Sequence, residues 1–435
     1  MGGNSVRKED PIYQAYVEIL KKELVLAMGC TEPIAIAYAS ALARKHLIGD
    51  VEEVEIHASG NIIKNVKSVT VPNTNGKKGL KAAAAIGVVA GNSDLLLEVI
   101  SHVNEEQLKE LDVFLETKDI RVFHEKGNCA LQIMIVLRNA EHEAKVKIQN
   151  EHVNVVYIEK DGEIIFKKEE TYGSDDERYQ LLQMKSIYEF AESVDIEDVR
   201  EVLERQISCN MAIAQEGLKK GYGADIANVL IKTYGDSVQV RARAMAAAGS
   251  DARMSGCELP VVICSGSGNQ GMSASLPVIV YAKEYNCSHE KLLRALVLSN
   301  LSTLYQKKFI GRLSAYCGAV SAGAGAGAGI SYLLGGDYSR VCHTIVNTLA
   351  ITSGILCDGA KPSCAAKIAS AVDAGIMGCM MAKENKEFYC GEGIVNSNIE
   401  KTIEGVGHIA RDGMKTTDDA VSYTHLRAHE TGAYL

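Results

Sequence analysis

Cys30, Cys317 and Cys357 are the side chains best placed for chemistry. They stand in Gly29-Cys30-Thr31-Glu32-Pro33, in Leu313-Ser314-Ala315-Tyr316-Cys317-Gly318 and in Leu356-Cys357-Asp358-Gly359-Ala360-Lys361-Pro362-Ser363-Cys364. Small, turn-forming residues surround each one, so backbone could approach a bound object there. Three thiolates rather than four would hold a cubic iron–sulfur cluster and leave one iron open as a Lewis acid. Spacing alone does not assign them that role. Cys30 lies 287 residues before Cys317 and Cys317 lies 40 before Cys357, and no CxxC pair occurs anywhere. A single cysteine is more often a small buried apolar residue than a ligand.

The elements that must position these cysteines follow from periodicity. Residues 12–48 read as helix interrupted at Gly29, with Tyr13, Tyr16, Val17, Leu20 and Leu24 close to a 3.6 period. Thr31 reads as a cap and Pro33 as part of the first turn of a second helix. Cys30 then falls at a helix N-terminus, where N–H groups and the dipole favour a thiolate. Over 51–170 the pattern changes. Strands are expected at 51–58, 68–71, 113–115, 120–124, 131–137, 144–149, 153–159 and 163–168, with Asp161-Gly162 as a hairpin turn. Small helices are expected near 79–91 and 104–111. From about 176 onward the chain reads as nearly all helical and rich in Ala, Gly and Ser. The alternation Ala322-Gly323-Ala324-Gly325-Ala326-Gly327-Ala328-Gly329 could be a low-complexity linker, but flanking apolar segments favour closely packed helices.

The expected fold class is therefore α+β, a mostly helical Ala/Gly-rich catalytic domain with an inserted smaller α+β domain. Residues 1–48 and 173–420 form the helical part and 49–172 the insertion. Residues 421–435 form an atypical tail that reads as foreign sequence; its His425 and His429 mimic an i, i+4 metal pair and are discounted for that reason. A net charge of −9 implies no nucleic-acid surface. The polar segment Met1 to Pro11 lacks the apolar core of an export signal, and the Ala/Gly/Val runs are too weakly apolar to span a bilayer. Twelve cysteines without a secreted-type scaffold fit a reducing cytoplasm. Gly/Ala-rich helical faces are compatible with a homodimer.

Five phrases occur together and in order: Gly29-Cys30-Thr31-Glu32-Pro33, Val71-Pro72-Asn73-Thr74, Ser250-Asp251-Ala252-Arg253-Met254, Ser265-Gly266-Ser267-Gly268-Asn269-Gln270-Gly271 and Cys357-Asp358-Gly359-Ala360. Together they resemble the UPF0597, or L-cysteine desulfidase, family, which is related to the α chain of iron–sulfur L-serine dehydratases. The resemblance covers roughly residues 10–420. It implies a β-eliminating lyase without pyridoxal phosphate that acts on a small amino acid. It further implies a 4Fe–4S cluster with one open iron, held by Cys30, Cys317 and Cys357. Cys364 is then read as structural, since a fourth ligand would close the reactive iron. The implied reaction converts L-cysteine to sulfide, pyruvate and ammonia; the alternatives are an L-serine ammonia-lyase and a non-catalytic cluster-binding sensor.

The polar phrases take roles within that resemblance. Glycines at 266, 268 and 271 expose N–H groups, while Ser265, Ser267 and Asn269 add neutral donors that suit a substrate carboxylate. Taken by itself the motif is an ordinary Gly-rich turn with capping serines. It matches GxGxxG but lacks a βαβ context for dinucleotide binding. Arg253 could fork onto the carboxylate, with Asp251 orienting it or meeting the ammonium, and Arg312 is a second candidate. Thr74 is placed with the substrate contacts. Lys64 is the candidate base, its pKa lowered beside a cationic site; a solvated surface lysine is the plain alternative. Of eleven histidines none lies in the five phrases, and strand alternation turns His57 toward solvent. Glu32 reads as a helix-start carboxylate. The family pattern does not require a lysine at Lys361.

Overall fold

A computed structural model describes residues 6–127, 129–168, 176–219, 221–418 and 420–421. The tail from 422 onward, with His425 and His429, lies outside the described residues. The chain opens with α1 (Pro11–Glu23), the short β1 (Leu26–Met28) and α2 (Thr31–His46). Next come β2 (Glu53–Ser59), α3 (Gly60–Val66), α4 (Gly79–Ala90), a 3₁₀ turn at Ser93–Glu98 and α5 (Glu105–Thr117). A run of strands follows: β3 (Asp119–Glu125), β4 (Gln132–Arg138), β5 (Glu143–Gln149), β6 (Val155–Lys160) and β7 (Glu163–Lys167).

These strands and β2 make one six-stranded sheet in the order β3-β2-β4-β5-β6-β7, with β2 and β3 parallel and the other neighbours antiparallel. Alternation explains its two faces. Val54, Ile56 and Ala58 of β2 point inward, where α2 and α4 cover the sheet, and His57 points outward. There His57 bonds Glu125 at 2.8 Å and Glu55 at 3.2 Å and stacks on Phe123. Asp161 (φ 50) and Gly162 (φ 82) turn β6 into β7, the two left-handed positions that a tight hairpin demands.

Two expected strands are absent. Residues 113–115 belong to α5, because Asn104 and Gln107 form a reciprocal cap at its start and Leu111 and Phe114 share its buried side. At 68–71 only Thr70 pairs, in a lone bridge to Lys78.

The remainder is helical around one short strand: α6 (Met184–Ser193), α7 (Arg200–Gly217), α8 (Ile226–Tyr234), α9 (Val238–Met254), β8 (Pro260–Val262), α10 (Gly268–Glu284), α11 (His289–Ile310), α12 (Gly318–Leu333), α13 (Tyr338–Ile351), α14 (Ser363–Lys383) and α15 (Ile399–His408). The Ala/Gly alternation forms α12, which lies at the centre against α10, α11, α13 and α14. A Cβ on Gly327 would sit 2.6 Å from the carbonyl oxygen of Gly375, so the run lets α12 and α14 meet backbone to backbone. By length and composition α14 could cross a membrane, but it packs against α9, α12 and α13. The fold is α+β, with a small mixed-sheet domain beside the helices.

Candidate active site

Three separate chain crossings bring the cysteines together. β1 pairs antiparallel with β8. Directly after β1, Gly29 takes φ 58 and faces Pro72 so closely that any Cβ would collide with the ring. That turn sets Cys30 as the N-cap of α2, and the Thr31 hydroxyl ties it down by donating to the Gly266 carbonyl at 2.9 Å. Cys317 is the N-cap of α12. Cys357 follows α13, and Tyr316 and Leu356 form an antiparallel bridge that locks these two loops together. Cys30, Cys317 and Cys357 all line one cavity of about 100 Å³, and Cys364 lines it too.

The cavity holds more positive than negative charge. Arg253, Arg312 and Lys307 face it, opposed by Glu32. Burial alone would raise the Glu32 carboxyl, but His152 and Arg253 outweigh it and hold the group below its ordinary value. The thiols respond unequally. Burial, then Glu32, pushes Cys30 up. Cys317 is also pushed up, chiefly because it donates its proton to Cys357. That donation, helped by the Lys64 charge and the Gly359 N–H, brings Cys357 down to about 6 against the effect of burial. Burial lowers Lys307 to about 8, with the two neighbouring thiols pulling the other way.

Of the thirteen buried polar side-chain atoms without a partner among the described residues, five belong to residues that line this cavity. They are Asn65 Oδ1, His152 Nε2, Asn269 Oδ1, Gln270 Oε1 and Tyr316 Oη. Buried polar groups of this kind need water or a ligand in the cavity to complete their bonds.

Ser265, Ser267, Asn269, Arg253 and Arg312 all reach the cavity. Arg253 is almost fully buried, and its Nε donates to the Gly29 carbonyl at 2.8 Å. Arg312 is already occupied by Glu23 at 2.8 Å and Glu151 at 3.4 Å. Two residues do not join them. Lys64 stays outside the cavity lining; it is buried and its Nζ is bound to Asp418 Oδ1 at 2.7 Å. Thr74 closes its own turn by donating to the Val71 carbonyl at 2.6 Å. Asp251 does not orient Arg253 either: its carboxylate accepts the N–H groups of Ala224 and Ile226 at the start of α8. Glu32 faces the cavity, where it accepts from Asn65 at 3.0 Å and from the Cys30 thiol at 3.3 Å.

Sequence reading missed His152, Lys307, Gln270 and Tyr316. His152 sits in the β5–β6 loop with no motif around it. Lys307 sits beside Lys308 in the last turn of α11, where a basic residue is ordinary, so it carried no distinguishing signal either. His152 is buried, which lowers its pKa, with Glu32 opposing and Arg312 assisting.

The donor set suits a polynuclear iron–sulfur group. No three His, Cys, Asp or Glu side chains among the described residues close around a single metal ion. A cluster spreads its thiolate ligands over separate irons and takes a wider set of sulfurs. Three thiols, Cys30 buried and Cys317 and Cys357 half-buried, with three cations around them would supply both the ligands and the counter-charge.

Comparison with known proteins identifies the family. The sequence profile described as serine dehydratase alpha chain matches residues 95–421. A UPF0597 protein of Desulfitobacterium hafniense is 54% identical over 419 residues, covering 96% of this chain and 97% of that protein. A UPF0597 protein of Lachnoclostridium phytofermentans is 52% identical, covering 94% of this chain and 99% of its own. One from Finegoldia magna is 49% identical, covering 94% and 99%. A match of this length and identity places the chain in the UPF0597 family, within the group built on the serine dehydratase alpha chain.

Proposed function

We propose that the protein is an iron–sulfur-dependent lyase that cleaves L-cysteine to sulfide, pyruvate and ammonia. The observation that carries this reading is the meeting of Cys30, Cys317 and Cys357 at one cavity that also holds Arg253 and five unpartnered polar atoms. Cys30, Cys317 and Cys357 would hold a 4Fe–4S cluster, whose open iron supplies Lewis acidity to the leaving group when bound.

The chain's own groups do the rest. The buried Arg253 guanidinium receives the substrate carboxylate, and the turn at Ser265–Ser267 offers hydroxyls beside it. The α-ammonium meets Glu32, whose carboxylate stays ionised, and the free carbonyl oxygens of Asn269 and Gln270. His152 Nε2 is buried, unpartnered and neutral, so it can take the Cα proton. Lys307, depressed toward neutrality, can exchange a proton with the departing sulfide. Loss of HS⁻ leaves an aminoacrylate; its imine tautomer hydrolyses to pyruvate and ammonia. All twelve cysteines are free, which supports operation in a reducing compartment such as the cytoplasm.

The family profile favours a second reading, elimination of water from L-serine on the same residues. Anaerobically reconstituted enzyme offered each amino acid in turn decides between them. Sulfide and pyruvate from cysteine, at a higher kcat/KM than pyruvate from serine, is the expected result. A loaded cluster without turnover of either would leave a sensor rather than an enzyme.

A further inference from the structure

A second cavity, of about 500 Å³, adjoins the cysteine cavity and is lined by Lys22, Leu96, Glu98, Glu151 and Arg205 among others. His152, Gly266 and Arg312 line both spaces. One layer of residues therefore separates them, and Gly266 adds no side chain to it. Arg312 is the charge in this partition, held by Glu23 from α1 and Glu151 from the β5–β6 loop. The two carboxylates depend on Arg312 to different degrees. Glu151 also pairs with Lys22 at 3.2 Å, and Glu23 also accepts the Tyr179 hydroxyl. Glu151 can release Arg312 without being left as an uncompensated charge, because Lys22 stays with it, whereas Glu23, 4% exposed and otherwise held only by a neutral hydroxyl, keeps its place on Arg312; exchange of Glu151 for another carboxylate is therefore inexpensive there. Leu96 lines this second cavity, is 49% exposed and holds φ 50, ψ −115, an unfavourable conformation for a leucine.

We propose that this cavity is the passage by which the substrate reaches the cysteines, and that Arg312 is its carboxylate-exchanging gate. This rests on the reading that the substrate is an α-amino acid. The incoming carboxylate displaces Glu151 from Arg312, then moves through the partition to Arg253. Arg312 is a positioning residue in this scheme and not a catalytic one. A third cavity, of about 740 Å³, touches the cysteine cavity through Leu313 and Ser314. That wall suits a carboxylate less. Leu313 is apolar and the Ser314 hydroxyl is spent on the Ala410 carbonyl at 3.0 Å, so the wall shared with this cavity carries no cation to hand a carboxylate on, whatever lysines stand elsewhere in it.

Alkylation of the cluster-free, reduced protein tests the passage without turnover. Iodoacetate and iodoacetamide are alike in size, but only iodoacetate carries a carboxylate. Rates are read at Cys30, Cys317 and Cys357 by mass spectrometry. Arg312→Gln is expected to lower the iodoacetate-to-iodoacetamide ratio by about tenfold, the scale of electrostatic steering into a charged cleft. Arg312→Lys keeps most of the ratio, and Glu151→Gln raises it. Leu96→Trp, at an exposed position on the second cavity, slows both reagents, while Ala130→Trp, an exposed position on the third cavity, slows neither. An unchanged ratio in Arg312→Gln, or slowing by Ala130→Trp in place of Leu96→Trp, overturns the passage. The lyase reading fails separately: absence of amino-acid turnover with this alkylation pattern intact removes the reaction and leaves the passage.

Discussion

Cys317 and Cys357 lie diagonally across a single antiparallel bridge: the Cys317 amide donates to the Ile355 carbonyl at 2.9 Å, and the Cys357 amide donates to the Ala315 carbonyl at 2.7 Å. Alternation about Tyr316 and Leu356 turns both thiols to one face. The backbone thus fixes the pair before any ligand arrives, and only Cys30 comes from a different part of the fold. We expect Cys30→Ala, Cys317→Ala and Cys357→Ala each to lose most of the iron and acid-labile sulfide bound on anaerobic reconstitution. Cys364→Ala should retain them, although Cys364 shares the cavity wall. Retention of a full cluster by Cys317→Ala, or its loss in Cys364→Ala alone, would replace the proposed ligand set.

His152 gives a prediction about pH. Burial is the largest influence on its imidazole and lowers its pKa, while Glu32 is the largest influence raising it. A base held neutral in this way works down to a lower pH than a free histidine does. The acid limb of kcat/KM should therefore lie below pH 6.5, the ordinary value. Glu32→Gln removes the raising influence and should move that limb further down. His152→Gln should reduce kcat by about 10²–10⁴ with circular dichroism unchanged, the range for losing a general base. An acid limb that ignores Glu32→Gln would point to a different base.

How much of this was legible in the sequence depended on the distance over which each feature is set. Local signals held well. The Asp161-Gly162 hairpin, the inward alternation of β2 and a helix start beside Cys30 all depend on a few neighbouring residues, although the N-cap is Cys30 itself and not Thr31, which is the first helical residue. The Ala/Gly helix α12 was readable because its flanks were apolar. Val113–Leu115 failed because β-favouring side chains there were overruled by the cap ten residues earlier. The site divided the same way. Motif residues such as Arg253, Ser265 and Asn269 reached the cavity. Lys64 and Thr74 looked alike in sequence, but their polar groups were consumed by Asp418 and by Val71. His152 carried no local mark, because only the packing of the β5–β6 loop against the helices gives it a role.

Lys307 should cost the fold stability at neutral pH. Its amine is buried on α11, and burial lowers its pKa from 10.5 to about 8, which corresponds to about 3 kcal/mol against the charged form. The unfolded chain binds the proton more tightly between those two values, so stability rises with pH across that window and is lowest below pH 8. Lys307→Met, similar in volume, should therefore raise the melting temperature of the cluster-free protein at pH 7. The gain should shrink as pH climbs from 8 toward 10, and turnover should fall. Thermal denaturation at several pH values checks this; a loss of stability at pH 7 would show that the lysine is satisfied by bonds beyond its 3.5 Å contact with the Arg312 carbonyl.

Gly268 decides whether Arg253 can do its proposed work. A Cβ there would lie 2.5 Å from Arg253 Nε and 2.6 Å from Val261 Cγ2. Neither neighbour can retreat cheaply. Val261 belongs to β8, paired to β1, and Arg253 is held by the Gly29 carbonyl. Alanine at 268 must therefore push the guanidinium off its position, at a cost of about 1–3 kcal/mol for overpacking a tight core. If Arg253 receives the substrate carboxylate, the same displacement weakens binding, and each 1.4 kcal/mol lost is about tenfold in affinity. Gly268→Ala should raise KM about 10- to 100-fold and leave kcat less affected. Arg253→Lys, which keeps the charge but gives up the fork, should show the same split between KM and kcat without the packing penalty. Equal KM values for wild type and both variants would remove Arg253 from the substrate and leave it a structural clamp on the Cys30 turn.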